Sequence, residues 1–220
     1  MARRVALVFA AAPLASTRRI RSRLSGLRDP YVIAADGGAG TALAFGFQPH
    51  VVVGDLDSIG APDLAALRQR GVPIETHPRD KDATDGQLAV ERALSFQPAC
   101  LLLLGFLGGP RLDQALASIF LLARLGTPAV LLDEHNECRL LFSGAEHTWS
   151  PEAHEVVSLL PLSADVNGVR TFGLRWPLDG ERLLFAHTRG VSNAPSGSQV
   201  RVSIEQGQLL LTRHFPDPEP

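Results

Sequence analysis

VVVGDLDSI, residues 51–59, is the stretch on which the reading of this chain turns. Val51 to Val53 form an unbroken β-branched run, the pattern of a strand buried on both faces of a parallel sheet. Gly54 follows, and then Asp55 and Asp57 with one residue between them. In extended backbone, positions i and i+2 point to the same side. The two carboxylates are therefore brought close, and like charges at that spacing repel unless a cation or a shared proton lies between them.

Working outward, similar apolar runs occur at 5–11, 31–36, 73–77, 99–106 and 128–133. Helical patterns lie between them, clearest at 62–70, 85–94 and 112–125. In the last, Leu112, Leu116, Ile119, Leu122 and Ala123 share one face at helical spacing. Thr17 to Arg21 are expected to open a helix after the first run. Strands alternating with helices predict a parallel, Rossmann-like sheet covered on both faces. From about residue 136 the style changes to short strand-like runs separated by turn signals such as Asn167-Gly168 and Asp179-Gly180. This predicts a small all-β sandwich. The expected organisation is thus an α/β domain over 1–135 and a β-sandwich domain over 136–220, with Pro216–Pro220 frayed.

Composition narrows the function classes. The 220 residues are 45% hydrophobic and 20% charged, so the chain is of the globular type. A net charge of −2 and the lack of a long basic run give no footprint for nucleic acid. No apolar run reaches the length of a membrane span. Cys100 and Cys138 are too few for a disulfide framework, which fits a reducing, cytoplasmic setting. The start, MARRVALVFAAAPLAS, has the make-up of a secretory signal, but VALVFAA also supplies the first strand that the alternation requires.

Ligands of open parallel sheets bind at the carboxyl ends of the strands. Acids, glycines and cations gather at those ends here: Asp36-Gly37-Gly38, then Asp55 and Asp57, then Lys81 with Thr84-Asp85, then Gly108-Gly109, Arg111 and Asp113. Thr84 with Gln87 fits a capping box, and Asp85 suits a helix start. Capping alone does not require every strand end to be acidic. Hard oxygen ligands suit Mg²⁺, which is commonly held by one or two carboxylates plus substrate phosphates. The expectation is that Asp55 and Asp57 share a metal that carries the phosphates of a nucleotide, with Lys81 and Arg111 offsetting further charge. Asp113 follows the glycine loop at the fifth strand end and is a further candidate catalytic acid. No P-loop motif is present.

These segments resemble those of the thiamin pyrophosphokinase family. The resemblance rests on Asp36-Gly37-Gly38-Ala39, Gly54-Asp55-Leu56-Asp57-Ser58-Ile59, Thr84-Asp85, Gly108 to Gln114, Gly173-Leu174-Arg175-Trp176-Pro177-Leu178 and Gly190-Val191-Ser192-Asn193. It spans nearly the whole chain. It implies an α/β domain followed by a β-sandwich, assembled as a homodimer with shared active sites. It implies that Asp55, Asp57 and Asp85 hold Mg²⁺, and that ATP lies across the strand ends near Asp36, Gly37, Gly38, Lys81, Thr84, Gly108 and Gly109. Thiamin would meet Gln114, Trp176, Ser192 and Asn193, with Trp176 stacking on a ring. The implied reaction moves a pyrophosphoryl group from ATP to the hydroxyl of thiamin, releasing AMP. Two alternatives stand beside it: a pyrophosphokinase of the same build acting on another hydroxymethyl heterocycle such as a pterin, and a non-catalytic thiamin- or nucleotide-binding protein. The chain departs from the family pattern at His50, Pro110, Gln114 and Ala194.

Overall fold

The computed structural model describes residues 4–216. The chain divides into two compact units, one ending at Glu134 and the other beginning at His135. Of the tail expected to fray, Asp217 onward lies outside the described residues.

The first unit is a six-stranded parallel sheet. Its elements run β1 (Val5–Phe9), α1 (Arg18–Ser25), β2 (Tyr31–Ala35), α2 (Gly38–Ala44), β3 (Val51–Gly54), α3 (Ala61–Gln69), β4 (Ile74–Thr76), α4 (Asp85–Leu94), β5 (Cys100–Leu104), α5 (Leu112–Leu122) and β6 (Ala129–Leu132). The strand order is β4-β3-β2-β1-β5-β6, all parallel. The order reverses between β1 and β5, so a crevice opens where their following loops part, the usual ligand position in such sheets. VALVF, the segment with signal-like make-up, is the central strand β1, flanked by β2 and β5.

Burial shows why these runs became strands. Ala6, Leu7, Val8 and Phe9 are all fully buried. Successive strand residues face opposite ways, so both faces are covered. Ile20 and Leu24 of α1 pack with Leu7, Phe9, Val32 and Leu104. Leu67 of α3 packs with Ala34, Ala39 and Val52. Thr17 caps α1, its hydroxyl accepting the Ile20 N–H. Thr84 caps α4 in the same way, accepting from Gln87 N at 3.1 Å. The expected capping box is only half made, because the Gln87 side chain turns forward to Glu91 at 2.9 Å instead of back to Thr84.

Helix α5 carries the apolar face that the spacing marks. Leu122 on it is buried, but Leu112 is 71% exposed and Leu116 is also exposed, as is Phe120. The periodicity marks a face that prefers cover without saying what supplies it. In this single chain the first two turns of α5 present that face to solvent.

The second unit is a sandwich. A three-stranded antiparallel sheet, β7-β13-β9, comprises β7 (Asn136–Phe142), β9 (Val156–Pro161) and β13 (Gln208–His214). A four-stranded sheet, β11-β10-β12-β8, comprises β8 (Glu146–Trp149), β10 (Asp165–Phe172), β11 (Asp179–Leu184) and β12 (Val200–Ser203). Leu141, Leu159, Leu209 and Leu211 from one sheet meet Val166, Val169, Leu183, Val200 and Val202 from the other. Strand β9 alternates partly buried and buried residues along its whole length, the half-buried pattern of such sheets. Among the described residues this unit has no helix.

Candidate active site

A cavity of about 770 Å³ opens at the carboxyl ends of the parallel strands. That is within the range of small-molecule sites. Ala10–Pro13 after β1 and Gly105 to Arg111 after β5 form its walls at the point where the strand order reverses. Asp36, Asp55, Asp57, Lys81, Thr84, Asp85 and Gln114 also line it.

Gly54 sets the acids in place. It has φ +151°, and a Cβ there would lie 3.0 Å from the Asp36 Cβ and 3.1 Å from Asp85 Oδ1. The backbone then turns through Leu56 at φ +65°. Asp36, itself at φ +45°, is buried and accepts the backbone N–H groups of Ser58 and Ile59, the latter at 3.1 Å. Its carboxylate thereby ties β2 to the turn that presents Asp55 and Asp57. One oxygen from each of Asp36, Asp55 and Asp57 lies within 4.8 Å of the others. Burial raises the pKa of Asp36. The hydrogen bond from Arg79 lowers that of Asp57.

Asp85 lies at the N-terminal end of α4, with Lys81 between it and the third strand. The Lys81 ammonium is 3.0 Å from Asp85 Oδ1 and 3.4 Å from Asp55 Oδ2, and its side chain is largely buried. Burial pulls the Lys81 pKa down, but the two carboxylates outweigh that and hold it raised. Asp85 Oδ1 is buried and has no hydrogen bond of good geometry despite its closeness to Lys81. Four carboxylates thus converge with two cations among them. A donor set made of carboxylate oxygens, one of them buried and poorly bonded, fits a hard divalent cation.

Other residues fall differently from expectation. Gly37 and Gly38 do not line the cavity. The Gly37 N–H donates to Ser58 Oγ at 3.0 Å, and a Cβ on Gly38 would come within 2.2 Å of the Phe9 carbonyl oxygen. The bare Cα of Gly38 thus serves the packing of α2 on β1, and that of Gly37 leaves room for Ser58. Gly108 and Gly109 do line it, as do Arg111 and Gln114. Asp113 does not. It is turned to Arg111, with contacts of 2.8 and 2.6 Å, and this pairing holds its pKa at about 2. Sequence reasoning left Arg79 and Ala10–Pro13 unassigned. The signal for Ala10–Pro13 was positional, a loop after the first strand of an alternating sheet, since alanines carry no chemical mark.

A second cavity, of about 550 Å³, belongs to the sandwich unit. Arg175, Trp176, Pro177, Arg189, Ser192 and Asn193 are among its lining residues. Trp176 is 55% exposed, with the Arg175 guanidinium 5.0 Å from its ring centre. Arg189 pairs with Glu181. Ser192 has φ +61° and donates its N–H to Ser158 Oγ. The Asn193 side chain is buried and engaged with backbone, so it does not present a free amide to the cavity as expected.

An acidic cavity at the reversal point of a parallel sheet, with cations and glycines around it, marks an enzyme of the nucleotide- and metal-using transferase class. The comparisons narrow this. Residues 27–131 match the family model "Thiamin pyrophosphokinase, catalytic domain", and residues 146–209 match "Thiamin pyrophosphokinase, vitamin B1 binding domain". The chain is 28% identical over 195 residues to a thiamine pyrophosphokinase of Bacillus subtilis, covering 86% of this chain and 91% of that protein. The solved thiamin pyrophosphokinase of Geobacillus thermodenitrificans superposes with a TM-score of 0.83 at 26% identity, covering 97% of this chain and 98% of that one. The solved B. subtilis structure gives a TM-score of 0.85 at 24% identity over 96% and 99% of the two chains, a likeness of fold. The chain belongs to the thiamin pyrophosphokinase family, whose members use ATP and a divalent metal. The alternatives, a pterin-type substrate or a non-catalytic binder, are not favoured.

Proposed function

We propose that this chain transfers a pyrophosphoryl group from ATP to the primary hydroxyl of thiamin, giving thiamin diphosphate and AMP. The observation that carries the reading is the convergence of Asp36, Asp55, Asp57 and Asp85 with Lys81 and Arg79 in the strand-end cavity. Asp55 and Asp57 would hold Mg²⁺, with Asp85 completing the set; the bound ion neutralises phosphate charge.

The chain's own residues do the rest. Such transfers depend on positioning and charge stabilisation. Lys81, which lines the cavity between Asp55 and Asp85, would offer its ammonium to a phosphate oxygen. Arg79 and Arg111 stand at the cavity wall for the same purpose. Gly108 and Gly109 leave backbone N–H groups open to close approach, and Thr84 lines the cavity beside them. The Arg111 pairing makes Asp113 a weaker base than an ordinary carboxylate, so its role is to hold Arg111 in place at the cavity wall. In the sandwich unit, Trp176 offers an aromatic face and Ser192 a hydroxyl to thiamin, and Gln114 contacts it from the α/β unit.

The working form is a cytoplasmic homodimer in which the strand-end cavity of one subunit faces the Trp176 cavity of the other. Supporting this are Leu112, Leu116 and Phe120 on α5 and Phe172, Trp176 and Phe185 on the sandwich, all large, apolar and exposed in the single chain. Exposed apolar groups in this number mark association surfaces. To test the substrate, the purified protein is given ATP, Mg²⁺ and either thiamin or a hydroxymethylpterin. ATP consumption that depends on thiamin supports the reading. Consumption that depends only on the pterin overturns it.

A further inference from the structure

The amide of Asn193 is engaged with backbone, that of Trp176 and that of its own neighbour Ala194. Its Oδ1 accepts the Trp176 N–H at 3.1 Å and the Ala194 N–H at 2.9 Å, and its Nδ2 donates to the Trp176 carbonyl at 2.7 Å. The side chain thus imitates a peptide unit, pairing with Trp176 as a neighbouring strand would. Asn193's own backbone pairs both ways with Val157 of β9, at 2.8 Å each. Around this pair, Arg175 N donates to the Ala194 carbonyl and Ser196 N to the Gly173 carbonyl, both at 2.8 Å. Gly190 closes the other side: a Cβ there would sit 2.2 Å from the Leu159 carbonyl oxygen, so only glycine lets this loop lie flat on β9.

The consequence is selective. The Trp176 ring is exposed, while its backbone is fixed to β9 through Asn193. No strand includes residues 173–178, so the regular ladder does not hold them. A side-chain amide substitutes for that ladder at the one residue whose ring stands in the cavity.

We propose that Asn193 is a positioning residue that holds the Trp176 platform and makes no contact with substrate. This rests on the reading of Trp176 as the thiamin platform. An aspartate could accept the same two N–H groups but would set a carboxylate oxygen against the Trp176 carbonyl. Serine or alanine would leave the Trp176 backbone to solvent. A loosened platform weakens stacking without touching the reacting atoms.

The test is a double-mutant cycle on the holoenzyme with Mg²⁺, ATP and thiamin, joined to fluorine NMR of fluorotryptophan-labelled protein. Asn193→Ala is expected to raise the thiamin KM roughly tenfold, the scale of one or two lost hydrogen bonds. It should leave kcat and the ATP KM within about twofold. In a Trp176→Ala background the same change should add less than about twofold, because a residue acting through Trp176 has nothing left to act on. The chain has two tryptophans, and only the Trp176 resonance, assigned with Trp176→Phe, should shift or broaden. Should Asn193→Ala fail to fold, Asn193→Asp keeps the two accepted bonds and carries the same cycle. Additive losses in the two backgrounds, or an unmoved Trp176 resonance beside a raised KM, overturn the proposal. If Trp176→Ala leaves the thiamin KM unchanged, the platform reading fails, and the proposal falls with it. That outcome is told apart by the Trp176 single variant alone.

Discussion

Glu155 offers the sharpest test of what holds the sandwich unit together. It is fully buried between Trp149 and Arg213. One of its oxygens accepts the Trp149 indole N–H at 2.8 Å and Arg213 Nε at 2.9 Å. The other accepts the Glu152 N–H at 3.0 Å and Arg213 Nη2 at 2.8 Å. Four donors therefore meet one carboxylate. Arg213 is also buried, with Glu137 at 3.4 Å as a second acid and the faces of Trp149 and Phe215 on either side. Glu155→Gln keeps the shape but replaces an acceptor with an NH₂ that must face a donor, and it removes the charge opposite Arg213. Breaking a buried pair by removing one partner costs about 3–5 kcal/mol. At about 2–4 °C per kcal/mol for a chain of this size, the melting temperature should fall by roughly 6–20 °C. Calorimetry of the variant and the parent at neutral pH measures it. Because Glu155 lies two residues before Val157, the anchor of Asn193, a partly loosened variant should also bind thiamin less well. A variant that melts within about 2 °C of the parent would refute the reasoning, since it would mean that Arg213 is adequately compensated without Glu155.

Four further outcomes follow from the site. Asp57→Asn and Asp85→Asn should each lose most activity at saturating Mg²⁺ while remaining folded in metal-free buffer, melting somewhat below the parent because each change leaves a cation, Arg79 or Lys81, without its carboxylate; normal turnover would return these residues to structural roles. Gly54→Ala should destabilise by on the order of 1–3 kcal/mol in a denaturant titration, from strain at positive φ together with contact on Asp36 and Asp85. The Asp113 carboxyl, held at about 2 by Arg111, is depressed from its unfolded value, so whatever it contributes is complete above that value and lost only as pH falls through about 2; the acid limb of the pH–rate profile should therefore be the same in Asp113→Asn as in the parent. Mixing inactive Trp176→Ala and Asp57→Asn subunits should restore activity if the dimer shares its sites, with subunit exchange confirmed by mass spectrometry; exchange without restored activity would contradict the shared-site arrangement.

The sheet was legible because its strands carry their own signal. Val51 to Val53, Tyr31 to Ala35 and Cys100 to Leu104 are short, apolar and bounded by turn residues, and the structure turns each into a strand. Helix α2, Gly38–Ala44, was not anticipated: GAGTALA is poor in strong helix formers apart from alanine, and its Gly38 serves contact with β1. Glycines that admit a neighbouring backbone look in sequence like glycines that admit a phosphate, so spacing alone does not separate the two uses. Asp55, Asp57 and Asp85 were visible as acids at strand ends, but the place of Asp36 within the carboxylate cluster depends on the β2–β3 register, which spacing does not give. The engagement of Asn193 depends on its loop meeting both Val157 of β9 and the loop that carries Trp176, contacts invisible in either loop alone. The apolar face of α5 was legible from its spacing, but periodicity is blind to whether the cover comes from the same chain.

The account's central claim is pyrophosphoryl transfer, and the identity of the nucleotide product tests it most directly. Purified protein is incubated with ATP, Mg²⁺ and thiamin, and nucleotides and thiamin species are separated chromatographically and quantified. The account predicts AMP and thiamin diphosphate in equal amounts, with neither formed when thiamin is omitted. ADP with thiamin monophosphate would contradict it, because the attack would then have fallen on the terminal phosphorus.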